Sequence, residues 1–204
     1  MNILFLNPTR RVELINMFKI YLKELGSSIN VACYEAFDPT MHIADVGIHL
    51  QKNWRIKDLI AICQTYEISL IIPWLENDMI NLLDNSNVLK DHNIKLAMNT
   101  SRHMHIAFSK KKTIDFLKEL DVNVMPYMNR QKINKFPLVV KPDLGSGGIG
   151  VNVVNNEIEL NNYLENDSTL IIQEYLNGVE YTVDLFCNKG KVLGSVPRKR
   201  VKFR

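Results

Sequence analysis

The chain has 204 residues, which at about 150 residues per domain predicts one or two domains. Hydrophobic residues make up 46% and charged residues 23%, so composition excludes a disordered, collagen-like or coiled-coil chain. The formal net charge is +3, but five basic residues and no acid fall within positions 198–204, and without them the acidic residues are in excess. A nucleic-acid partner would depend on this tail alone, and we expect none.

Neither the start of the chain nor any apolar run predicts export or membrane insertion. No apolar run approaches the roughly 18 residues that span a bilayer, and no basic region precedes the short apolar stretch at residues 3–6. Cys33, Cys63 and Cys187 lie far apart without a C-x-x-C pair, which argues against a disulfide framework or a zinc site. We therefore expect a soluble, cytoplasmic protein with no membrane partner.

Strands and helices alternate over the first hundred residues. Residues 2–6 are almost wholly apolar, which is typical of a strand buried on both faces, and Ile15, Phe18 and Leu22 then recur at helical spacing. Further predicted strands lie at residues 29–34, 44–50, 69–73 and 94–98, with helices around 59–63 and 79–83. This alternation predicts a doubly wound parallel α/β sheet, in which ligands bind at the carboxyl ends of the strands.

A different pattern begins after residue 110. One helix is predicted around Ile114 and Leu117, and strands then dominate. The predicted strands are residues 137–141, 151–154, 170–174, 180–186 and 191–196, with a helix near 157–164. We expect an α+β unit here and place the domain boundary so that residues 1–103 and 104–204 form separate domains.

A glycine-rich loop is the strongest motif. Residues 145–150 match G-x-G-x-x-G, but a predicted strand follows them instead of the helix that a dinucleotide-binding fold requires. Glycines between two strands expose backbone N–H groups that can close over phosphates, and Lys141 ends the strand that enters the loop. The H-R-D and D-F-G motifs of protein kinases are absent. The alternative is a glycine turn without a ligand.

The segment after this loop combines an apolar strand, a turn at Asn177-Gly178 and a second strand. In the second strand Glu180, Thr182 and Asp184 alternate with apolar residues and share one face. This polar face is predicted to line a cleft, and the alternative is an ordinary half-exposed strand.

Together these segments resemble the ATP-grasp superfamily, in the branch of carbamoyl-phosphate-synthase-like carboxylate–amine ligases. The resemblance implies a Rossmann-like pre-ATP-grasp domain followed by part of an ATP-grasp domain. Arg10-Arg11-Val12 after the first strand, and the proline and paired acids within residues 72–78, are similar to motifs of the preceding domain.

The resemblance also implies an ATP site. The residues that would contact the nucleotide are Lys110, Lys141, Gly145, Ser146, Gly147, Gly148, Glu174, Tyr175, Leu176 and Glu180. The two lysines would neutralise the phosphates, the glycine loop would cover them, the backbone of residues 174–176 would meet the adenine edge, and the carboxylate of residue 180 would hold the ribose hydroxyls.

The activity implied by the resemblance is transfer of the γ-phosphate of ATP to a small-molecule carboxylate, giving an acylphosphate that an amine attacks. Family members bind Mg²⁺ through carboxylates well downstream of the adenine-binding segment, whereas the last carboxylate here is Asp184. The Mg²⁺ ligands are therefore expected outside this chain, and no metal ligand or catalytic residue is assigned within it. The chain would be a truncated form, a fragment or half of a split enzyme, inactive alone, with a homodimer partner or a complementing subunit.

Other functions remain open at this point. The chain is alternatively a nucleotide-binding or regulatory module without catalysis. An NAD-type dehydrogenase is disfavoured because the turn at residues 7–10 contains no glycine. Arg198 or Arg200 would contact a substrate carboxylate, or would simply belong to a solvated basic end.

Overall fold

Two units of different architecture, Met1–Leu120 and Asp121–Arg204, make up the chain in a computed structural model. The structure describes residues 1–99, 103–145 and 147–201, so the predicted phosphate contact Ser146 lies outside the described residues. The domain boundary between residues 103 and 104 stays a prediction. No helix in the described ranges is long and apolar enough to cross a bilayer.

A five-stranded parallel sheet forms the centre of the first unit, with the strand order β3-β2-β1-β4-β5. Its strands are β1 (Asn2–Leu6), β2 (Ile29–Cys33), β3 (Val46–His49), β4 (Ile68–Pro73) and β5 (Lys95–Leu96). The helices are α1 (Val12–Glu24), α2 (Pro39–Ile43), α3 (Ile56–Thr65), α4 (Glu76–Asp84), α5 (Ser86–Asp91), α6 (His103–Phe108) and α7 (Lys110–Glu119). The predicted doubly wound parallel sheet is confirmed.

Strand β1 is buried on both faces, as its apolar composition predicts. Leu4 and Leu6 pack into one hydrophobic cluster, while Ile3 and Phe5 belong to a second cluster on the opposite face. The ring of Phe5 contacts the ring of Phe18 on α1 edge to face, with centroids 5.0 Å apart. Helices therefore cover both sides of the sheet.

A buried polar network connects the carboxyl ends of the strands in this unit. Asp78, which is 1% exposed, accepts hydrogen bonds from Asn7 Nδ2 at 2.7 Å, from Trp54 Nε1 at 3.3 Å and from the Tyr34 hydroxyl. The Tyr34 backbone N–H in turn donates to Asn7 Oδ1 at 2.9 Å. Burial, together with the hydrogen bond to the Asp78 carboxylate, raises the pKa of Tyr34 to about 12. The paired-acid motif thus supplies a structural carboxylate.

The second unit has a three-stranded antiparallel sheet and a separate hairpin. Its elements are β6 (Leu138–Lys141), β7 (Asn152–Val154), α8 (Glu157–Asn166), β8 (Ile171–Glu174), β9 (Tyr181–Asn188) and β10 (Lys191–Lys199). Strand β6 lies between β7 and β8, and one face of this sheet packs on α8 through Leu160 and Leu164. The predicted α+β unit is confirmed.

Two local features differ from the sequence-based expectation. The dipeptide Asp38-Pro39 is typical of a turn, but Asp38 accepts a hydrogen bond from Thr40 N at 2.9 Å and starts the short helix α2, with Pro39 at its first position. Every residue of β9 and β10 is exposed, including the apolar face of β9.

Candidate functional site

The glycine loop joins two antiparallel strands, as predicted. Leu138 pairs with Val154 and Val140 with Asn152, so residues 142–151 form the end of a hairpin. Positive φ angles of +69° at Gly147 and +77° at Gly148 put the backbone in the left-handed region that glycine tolerates best. No atom lies within 4 Å of the position that a Cβ would take at either residue. Conformation, and not crowding, requires glycine here.

A cleft of about 790 Å³ opens beside this hairpin within the second unit. It is lined by Val139 and Lys141 of β6, by Met125, and by residues 173–180 and 199–201. Its volume lies within the usual range of roughly 300–1,000 Å³ for small-molecule sites. The cleft therefore has room for a ligand the size of a nucleotide.

Strand pleating explains why Lys141 faces this cleft. Leu138 and Val140 are buried in the hydrophobic core, so the alternate residues Val139 and Lys141 point to the opposite side of β6. An ammonium group on a partly buried strand end is suited to neutralise an anionic ligand.

The cleft brings together five of the ten predicted contact residues: Lys141, Glu174, Tyr175, Leu176 and Glu180. Within the described residues, the loop glycines lie outside its lining. Lys110 is the first residue of α7, in the other unit. The assignment of all ten residues to a nucleotide stays a prediction.

The segment that follows β8 exposes backbone groups at the cleft. Tyr175, Leu176 and Asn177 make no backbone hydrogen bond within the described part of the chain. Their N–H and C=O groups are therefore available to pair with the polar edge of a flat base, and the side chains of Met125 and Val139 provide apolar surface nearby. This arrangement suits an aromatic base with hydrogen-bonding groups on one edge.

Gln173 is a cleft residue that the sequence analysis missed. It is 6% exposed, and its Nε2 donates to Met125 O at 2.8 Å. This hydrogen bond holds the segment containing Met125 against β8, where Met128 N also donates to Ile172 O at 2.8 Å. The sequence feature that could have identified Gln173 is its position as a polar residue directly after the apolar run at residues 170–172.

Two ion pairs follow the polar face of β9. Arg200 Nη1 lies 2.6 Å from Glu180 Oε1, and Arg198 Nη2 lies 2.5 Å from Asp184 Oδ2. The two basic residues proposed from sequence as contacts for a substrate carboxylate thus each contact a carboxylate of this chain.

Three consecutive lysines, Lys110, Lys111 and Lys112, occupy the first turn of α7. The side chain of Ser109 caps this helix by accepting a hydrogen bond from Lys112 N at 3.1 Å. The phosphate contact of Lys110 stays a prediction.

The described residues contain no cluster of metal-binding side chains. Residues 1–99, 103–145 and 147–201 contain no group of three or more His, Cys, Asp or Glu side chains placed to hold a metal. Glu180, which lines the cleft, and Asp184 of β9 each bind an arginine.

Comparison with known families identifies both parts of the chain. Residues 107–204 match the ATP-grasp domain, and residues 3–97 match the PylC-like N-terminal domain. Residues 107–204 therefore match the ATP-grasp domain that the sequence analysis recognised, and that recognition is confirmed.

Among curated relatives, D-alanine–D-alanine ligase A of Bacillus cereus is 30% identical over 127 residues, covering 59% of this chain and 38% of that protein. The carbamoyl phosphate synthase large chain of Clostridium beijerinckii is 28% identical over 123 residues, covering 53% of this chain and 12% of that protein. The chain thus spans well under half the length of either relative.

Solved structures share the fold across nearly the whole chain. The ADP complex of N5-carboxyaminoimidazole ribonucleotide synthetase has a TM-score of 0.69 at 15% identity, covering 98% of this chain and 54% of that one. The L-amino acid ligase from Bacillus licheniformis has a TM-score of 0.70 at 16% identity, covering 98% and 51%. This chain corresponds to about half of each structure.

Proposed function

We propose that the cleft of the second unit binds ATP and that this chain is the nucleotide-binding part of an ATP-dependent carboxylate–amine ligase. The observation that carries the proposal is the meeting of three groups in one cleft: Lys141, the Glu180 carboxylate, and the backbone of residues 175–177, which is unpaired within the described residues. These groups are complementary to phosphate, adenine and ribose, respectively. The names of the relatives, which include ligases, support the same class of reaction.

Each group has a separate task in this proposal. Lys141 neutralises phosphate charge, and the N–H groups of the glycine loop cover the phosphates once a nucleotide is bound. The backbone after β8 orients the base, which fixes the direction of the triphosphate. A carboxylate substrate then attacks the γ-phosphorus and ADP leaves; the nitrogen of an amine attacks the resulting acylphosphate, and phosphate leaves as the C–N bond forms.

The substrates proposed are a small carboxylate, such as an amino acid, and an amine. The magnesium ligands and the remaining catalytic groups would come from polypeptide outside the residues described, either in a complementing subunit or through a homodimer. A magnesium ion would neutralise phosphate charge in that complete site.

A nucleotide-binding module without catalysis is the second candidate. The observation that favours it is that arginines hold Glu180 and Asp184, and that neither belongs to a metal-binding group among the described residues. Both candidates require ATP in the same cleft, and they differ in turnover.

Titration calorimetry with ATP tests the shared requirement. We expect saturable binding that Lys141→Ala weakens about tenfold or more, equivalent to roughly 1.4 kcal/mol. Lys135→Ala is the matched control, because this exposed lysine precedes the same strand and is not needed for the proposed site. Absence of ATP binding by the unsubstituted chain, or equal affinity in Lys141→Ala, would overturn the proposal.

Turnover separates the two candidates. The full-length product of the gene is incubated with ATP, Mg²⁺ and a panel of amino acids and other small carboxylates, with hydroxylamine present to trap an acylphosphate. Formation of ADP and a hydroxamate together supports the ligase. Saturable ATP binding without either product, for every carboxylate in the panel, supports the non-catalytic module.

A further inference from the structure

Glu180 and Arg200 face each other at the open end of the β9–β10 hairpin. The antiparallel register pairs Tyr181 with Lys199, and it continues by one residue because Arg200 N donates to Glu180 O at 2.8 Å. The guanidinium of Arg200 then donates through Nη1 to Glu180 Oε1 at 2.6 Å. A backbone hydrogen bond and a side-chain hydrogen bond therefore both connect Arg200 to Glu180.

Both residues of this pair line the cleft. A carboxylate has two oxygens that each accept hydrogen bonds, and Arg200 occupies only Oε1. Within the described residues, no donor contacts Glu180 Oε2. The contact of Arg200 with Oε1 therefore fixes the orientation of the Glu180 carboxylate and leaves Oε2 able to accept hydrogen bonds from a ligand in the cleft.

The contact matters because a glutamate on an exposed segment has many rotamers. The Glu180 side chain is 45% exposed, so packing does not hold it in place. Freezing a rotamer-rich side chain on binding opposes affinity, and a group that fixes the side chain beforehand removes this cost. The planar guanidinium is well suited to this, because its donors have a fixed geometry.

We propose that Arg200 is a positioning residue that holds Glu180 so that its free oxygen accepts hydrogen bonds from the ribose hydroxyls of the bound nucleotide. This inference rests on the proposed function, which assigns the ribose to Glu180, and it adds the residue that fixes the direction of this carboxylate. It also assigns Arg200 a task other than the contact with a substrate carboxylate that the sequence suggested.

The same hairpin provides a matched control. Arg198 of β10 pairs with Asp184 of β9 at 2.5 Å, which is likewise an ion pair across the hairpin, and both side chains are exposed. Arg198 lines a neighbouring hollow together with Thr182. Substitution of Arg198 therefore removes a comparable exposed ion pair and leaves the contact between Arg200 and Glu180 intact.

The test compares dissociation constants for ATP and for dideoxy-ATP, which lacks both ribose hydroxyls. We expect the unsubstituted chain to prefer ATP by roughly tenfold, because binding dideoxy-ATP leaves the fixed carboxylate oxygen unpaired. Arg200→Gln should weaken ATP binding and leave dideoxy-ATP binding nearly unchanged. The ratio of the dissociation constant for dideoxy-ATP to that for ATP should therefore fall several-fold, toward one. Arg198→Gln should keep the full preference, and Glu180→Gln should lose it.

Each of the other outcomes contradicts a specific part of the proposal. If Arg200→Gln weakens both nucleotides equally, or keeps the preference, the positioning role is wrong. If the unsubstituted chain binds ATP without preferring it, the ribose contact is wrong while nucleotide binding stands. If it binds neither nucleotide, the proposed function itself fails. Circular dichroism checks folding, and Arg200→Lys, expected to retain part of the preference, replaces Arg200→Gln if the latter does not fold.

Discussion

The two units place carboxylates in opposite environments. In the first unit Asp78 is buried and accepts hydrogen bonds from Asn7, Tyr34 and Trp54. In the second unit Glu180 and Asp184 lie on an exposed hairpin and each binds one arginine. The surroundings of these carboxylates therefore differ: donors enclose Asp78 inside the first unit, whereas Glu180 lies exposed at the cleft where we propose that a nucleotide binds.

The free-energy consequences differ accordingly. Removal of a buried acceptor leaves its donors without partners, at a cost of about 1–3 kcal/mol for each. Removal of an exposed ion pair typically changes stability by about 0–1 kcal/mol. Substitutions in the two regions therefore separate structural carboxylates from those that serve binding.

Asp78→Ala is expected to give the largest effect on stability, about 3 kcal/mol or more, because the donors of Asn7 and Tyr34 remain buried without an acceptor. Urea unfolding followed by tryptophan fluorescence measures this selectively, since Trp54 and Trp74 both lie in the first unit. Asp84→Ala, at an exposed site at the end of the same helix, is the control and should cost less than about 1 kcal/mol. Equal losses would show that the network does not stabilise the unit.

A smaller and pH-dependent effect is expected for Tyr34→Phe. The pKa of Tyr34 is raised from 10.0 to about 12, so its contribution to stability is fully present below pH 10 and is lost as the pH rises toward 12. The difference in unfolding free energy between the unsubstituted chain and Tyr34→Phe should therefore shrink over this interval.

The same tryptophan signal follows unfolding in urea at each pH for this comparison. Burial also raises the pKa of the Cys33 and Cys63 thiols, to about 11 and about 12, but these groups are present in both proteins and cancel in the difference. A difference that stays constant from pH 10 upward would contradict the role assigned to burial of the Tyr34 hydroxyl.

The sequence was informative where pattern and chemistry coincide. The apolar run of β1 and the strands on both sides of the glycine loop were predictable, because burial on two faces and the positions of glycines leave direct traces in composition. Helices α2, α5 and α6 were not predicted, since five or six residues are too few to show a helical period. Helix α2 depends instead on the single capping contact of Asp38.

The candidate site divides in the same way. Lys141 and Glu180, which both line the cleft, could be singled out because a charged residue at a strand end and an acid in an alternating segment are visible as local patterns. Met125 and the pairing of Arg200 with Glu180 were not predicted, because each depends on a contact between segments distant in sequence. Such contacts depend on tertiary structure and have no local signature.

Hydrogen exchange of the chain with and without ADP is the most direct test of the central claim, because it compares both units in one experiment. We expect ADP to slow exchange in residues 173–180 and in the glycine loop, and to leave residues 1–99 unchanged. Protection confined to the carboxyl ends of β1 and β4 would place the nucleotide on the parallel sheet instead, and would contradict the assignment of the cleft.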